Sequence, residues 1–97
     1  MDSLTRQSID EMLAFRDMIK TTMTEEEWNM VVGANRLHLS IVMGLRQCNA
    51  IDAAEAVINV LEADTTQSDL LLETRKAVVV LVATEMMGPD FINSLTA

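Results

Sequence analysis

The stretch from Glu25 to Cys48 constrains this chain most, because it holds no proline and reads apolar on two sides of a helical wheel. At 100° per residue, Trp28, Val31, Val32, Leu39, Val42 and Met43 make one apolar face, and Met30, Ala34, Leu37, Ile41, Leu45 and Cys48 make a second. Polar side chains are left a narrow strip, Asn29, Arg36, Ser40 and Gln47, edged by Gly33 and Gly44. A helix of that composition sits in the centre of its fold or is covered by a second subunit. Asn35 and Arg46 intrude on the first face and require polar partners there.

The rest of the chain fits a helical architecture. Only 3 glycines and 1 proline occur in 97 residues, too few for the many turns of an all-β sandwich or barrel. A first helix is expected from about Ser3 to Thr22, with Ile9, Met12, Leu13, Phe15, Ile19 and Met23 on its apolar half and Arg6, Gln7, Asp10 and Asp17 opposite. Asn49 is placed to cap a third helix over Ala50–Ala63, whose buried face is Ile51, Ala54, Val57, Ile58 and Leu61. DTTQSD, residues 64–69, reads as a loop from which Thr66 or Ser68 can cap a fourth helix. That helix is expected to stop at Met87, before Gly88 and Pro89. Its middle, residues 77–83, is AVVVLVA, apolar all round and β-branched enough to allow a strand. A lone strand has nothing to pair with inside the chain, so helix is the expectation. The tail DFINSLTA has room for one further turn, with Phe91, Ile92 and Leu95 packing back. The predicted fold is all-α, a compact bundle of four main helices with a short C-terminal turn, in one domain spanning residues 1–97.

The most suggestive local cluster is TTMTEEEWNM, residues 21–30, where three glutamates stand beside the only tryptophan. Thr24 followed three residues later by Glu27 is a capping box, and Met23 with Trp28 fits the hydrophobic staple that accompanies one. Three carboxylates at a helix start also meet the positive end of its dipole. Helix initiation therefore accounts for the cluster without a metal or an acid/base pair.

Charge and motif content exclude much chemistry. Net charge is −8, from 15 acidic and 7 basic residues. The imbalance is concentrated in residues 49–97, with 8 acidic and 2 basic, against 7 and 5 in residues 1–48. Such a chain repels phosphate backbones and anionic lipid, so neither direct nucleic-acid binding nor membrane binding is expected. The segment MDSLTRQSIDEM lacks a basic and an apolar region, and Cys48 is the only cysteine, which together suggest a reduced, cytoplasmic setting. His38 is the only histidine, and its ten-residue separation from Cys48 on one helix is about 15 Å. A Cys–His pair would need two subunits, and His38 is expected to be buried or at an interface. No phosphate-binding glycine loop, GxSxG, HExxH or EF-hand loop occurs. Glu85 alone among the carboxylates stands in an apolar setting, where Arg46 or Arg75 could pair with it. Neither a metal nor a cofactor is implied, and no enzyme is expected. An active site shared across a dimer, using His38 with Glu85 or Cys48, is the weakest alternative.

Three features remain. Asp52, Glu55, Asn59 and Glu62 form an acidic stripe on a helix that carries no Lys or Arg, which reads either as a solvated face or as a docking face for a partner with a basic surface. The apolar circumference of the second and fourth helices exceeds what two surface helices can cover, and a homodimer is the economical solution. Seven methionines after Met1 suit core filling, with some available to line a groove for a partner helix. The functional expectation is a non-enzymatic module, a regulator, adaptor or chaperone that binds another protein. The alternative is an acidic mimic of nucleic acid that occupies a basic groove.

Overall fold

The computed structural model describes residues 6–94, including side chains other than those of residues 6–9, 12 and 92. Five helices follow in order, α1 (Arg6–Lys20), α2 (Glu25–Arg46), α3 (Ala50–Ala63), α4 (Asp69–Met87) and α5 (Pro89–Ser94), with no strand among the described residues. The radius of gyration is 13.2 Å, close to the about 13 Å of a compact 100-residue domain.

α2, α3 and α4 each begin where the sequence supplies a cap. Thr24 Oγ1 accepts from the Glu27 N–H at 3.1 Å, and Glu27 Oε1 accepts from the Thr24 N–H at 3.1 Å, which completes the capping box. Asn49 Oδ1 accepts from the Asp52 N–H at 2.9 Å at the start of α3. Ser68 Oγ accepts from the Leu71 N–H at 3.2 Å at the start of α4. Thr66, the other candidate for that cap, instead donates its N–H to Asp64 Oδ1 at 2.9 Å and shapes the loop.

Two helix ends fall earlier than expected. α1 stops at Lys20 rather than Thr22, where the Thr21 and Thr22 hydroxyls donate to the Met18 and Ile19 carbonyls at 2.6 and 2.7 Å. The backbone tightens there, the Thr22 and Met23 N–H groups donating to the Ile19 and Lys20 carbonyls three residues back. α2 stops at Arg46 rather than Cys48, because Gln47 turns left-handed at φ 52° and its N–H reaches the Met43 carbonyl. The expected start at Ser3 and the packing of Leu95 lie outside the described residues, as do the Ile9, Met12 and Ile92 side chains. Phe91 on α5 is half-buried.

α4 is the centre of the bundle, packed by each of the other helices. Val78 to Thr84 are all buried, which a helix achieves only when neighbours surround it. Residues 77–83 are helical, so packing on every side overrides the β-branched preference of the valines. The buried Thr84 hydroxyl donates to the Val80 carbonyl at 2.8 Å. Ile19 from α1, Trp28 and Leu39 from α2, and Ala50, Ala53, Ala54, Val57 and Ile58 from α3 complete the core. The alanines let α3 approach α4 closely, and Ala53 adds to the face expected from the sequence.

Candidate interaction surfaces

The four stripe residues Asp52, Glu55, Asn59 and Glu62 all lie exposed on one side of α3, opposite the Ala53, Ala54, Val57 and Ile58 that face the core. The stripe is less uniformly acidic than its own helix implies, because Lys76 of α4 approaches Glu62 at 3.7 Å. The same ammonium meets Glu73 at 3.5 Å. Reading α3 alone missed this partner, since the cation arrives from a neighbouring helix. Val60, beside Asn59 in sequence, is also exposed.

α2 divides as its wheel suggests. On the inner side Leu39 is 1% exposed, Trp28 is buried, and Val31, Val32, Val42 and Met43 pack partly buried against the core. The Asn35 side chain satisfies itself by donating to the Val31 carbonyl at 2.8 Å, and Arg46 lies exposed at the helix end. On the outer side Met30 is 68% exposed, Leu37 63%, Ile41 52% and Leu45 81%, with exposed Ala34 among them. Cys48, assigned to the same face from the sequence, leaves it, because the chain turns at Gln47 and carries the thiol half-buried against the core.

His38 lies at the rim of a hollow of about 340 Å³ between α2, α3 and α4, floored by Val57, Val78 and Val79. It is exposed, which corrects the expectation of burial within the chain. Arg75, on the same rim, donates to Gln67 Oε1 at 3.1 Å. Glu85 is exposed and meets Arg16 of α1 at 3.9 Å, so its partner is neither Arg46 nor Arg75. α1 packs against α4 and so brings Arg16 within reach, a pairing that no spacing along the chain announces.

Two carboxylates titrate below their ordinary range, both for structural reasons. Glu27 is held down by the Thr24 backbone N–H and then by the Thr24 hydroxyl. Asp64 is held down by the Thr66 hydroxyl and then its N–H, with help from the charge of Arg75. Both are hydrogen-bonded as anions, the reverse of the raised value a general acid needs. Among the described residues no group of three or more His, Cys, Asp or Glu could hold a metal ion, and no helix is long and apolar enough to cross a membrane. Two faces stand exposed, a charged one on α3 and an apolar one on α2.

Compared with protein-family models, curated proteins and solved structures, the chain matches none.

Proposed function

We propose that the chain is a non-enzymatic protein-interaction module, a small cytoplasmic regulator, adaptor or chaperone that acts as a homodimer and binds another protein. The observation that carries this reading is the outer face of α2. Four large apolar side chains stand more than half exposed along one helix while the opposite side of that helix is core. Contiguous apolar surface of this kind marks association sites.

The acidic face of α3 is the proposed docking surface for a partner with a basic surface, through Asp52, Glu55, Asn59 and Glu62. All four side chains are exposed on the side of α3 away from its core and so are accessible to a partner. Occupying a basic groove as a nucleic-acid mimic is the more specific form of the same contact. Lys76 beside Glu62 breaks the run of negative charge and favours the general form.

The test uses the full chain as bait, compared with Asp52→Lys/Glu55→Lys/Glu62→Lys. Loss of a captured partner on reversal, with capture falling steeply as salt rises, supports the acidic face. Capture that survives reversal and fails on Met30→Glu or Leu45→Glu assigns the partner to α2 instead.

A further inference from the structure

The outer face of α2 is one continuous apolar stripe, in which Met30, Ala34, Leu37, Ile41 and Leu45 recur at spacings of four, three, four and four residues. Between Glu27 and Arg46 the only charged residue on α2 is Arg36, well over 90° around the wheel from the centre of that stripe. The face can therefore be dehydrated without stripping water from a charge. The four large side chains, 52–81% exposed, present on the order of 500 Å² on one copy, so two copies in full contact reach the ~1,000 Å² total at which specific interfaces begin.

We propose that a second copy of this chain covers the face, with the two α2 helices antiparallel about a two-fold axis passing between Leu37 and His38. This rests on the reading of the chain as a self-associating interaction module and adds its geometry. Antiparallel pairing sets Met30 opposite the partner's Leu45 and Ala34 opposite the partner's Ile41, so that large meets small across the middle. Charge selects the same orientation. A parallel pair would place the two Glu25–Glu26–Glu27 triads side by side, whereas the antiparallel pair sets them at opposite ends. Gly33 and Gly44 edge the stripe with open space around them, so two backbones can approach there.

The orientation is tested with single cysteines in a Cys48→Ser background and a short bis-maleimide, alongside mass in solution. On a 1.5 Å rise, antiparallel pairing leaves the two copies of residue 45, or of residue 30, about 22 Å apart. Leu37→Cys is therefore expected to cross-link to itself. Met30→Cys and Leu45→Cys are expected to cross-link only when mixed. Self-linking of Met30→Cys and of Leu45→Cys would overturn the orientation in favour of a parallel pair. A dimer by mass that persists in Leu37→Glu would overturn the face while leaving self-association standing. A monomer at every concentration would overturn both, and would assign the stripe to a different protein. Since Leu37 is 63% exposed, Leu37→Glu is expected to keep its helical circular dichroism, so loss of the dimer cannot be mistaken for unfolding.

Discussion

At the scale of single residues, Leu37 and Leu39 show how little sequence distance separates core from surface. Leu39 is 1% exposed and packed in the core, while Leu37 faces outward. Leu39→Ala is expected to destabilise the fold by about 2–5 kcal/mol, and Leu37→Ala to change monomer stability by less than about 0.5 kcal/mol. Urea unfolding of both variants, in conditions where the chain is monomeric, checks this contrast. Thr24 is the residue whose role is most explicit, since its hydroxyl and N–H both engage Glu27. Thr24→Ala is expected to lose about 1 kcal/mol, read as a thermal midpoint lower by about 4–8 °C. The effect has a pH signature. Glu27 titrates lower folded than unfolded, so its contribution is present in full above the ordinary glutamate value of about 4.3 and disappears as pH falls through the lowered folded value. The gap between wild type and Thr24→Ala is expected to narrow in that acid range and to stay constant from neutrality down to it.

At the scale of elements, caps and stops were legible in the sequence because their chemistry is local. Thr24, Asn49 and Ser68 each accept from an N–H three residues on. Gly88 ends α4 with φ 91° and ψ 176°, a conformation essentially reserved for glycine. No neighbour lies within 4 Å of a Cβ placed there, so Gly88→Ala is expected to cost about 1–3 kcal/mol through the backbone alone, measurable by chemical denaturation. What the sequence did not reveal depends on neighbours. Residues 77–83 read as either helix or strand from the sequence, and the packing of the other helices on α4 decides for helix. The Glu62–Lys76 and Glu85–Arg16 pairs join different helices, and pairings of that kind follow from packing rather than from periodicity. The left-handed turn at Gln47, which moves Cys48 off the outer face of α2, had no glycine to signal it.

At the scale of the whole molecule, the two apolar helices part company. The valine-rich middle of α4 is covered by the chain itself while Leu70 and Leu71 at its start stand exposed, and α2 is covered on one side only. The acidic face of α3 and the apolar face of α2 then respond oppositely to salt. Self-association through the uncharged stripe brings together two chains of net charge −8, so salt that screens their repulsion is expected to tighten the dimer. Docking of a basic partner on Asp52, Glu55, Asn59 and Glu62 is expected to weaken under the same change. Sedimentation equilibrium in low and high salt, beside a binding isotherm for any captured partner, separates the two faces without a mutation.

The most direct test of the central claim is mass by light scattering across protein concentration, for the wild-type chain and Leu37→Glu side by side. The account predicts twice the chain mass for the wild type, dissociating on dilution, and the single-chain mass for the variant with its helicity intact. A wild-type chain that stays at the single-chain mass throughout, or a variant that remains at twice that mass, would contradict it.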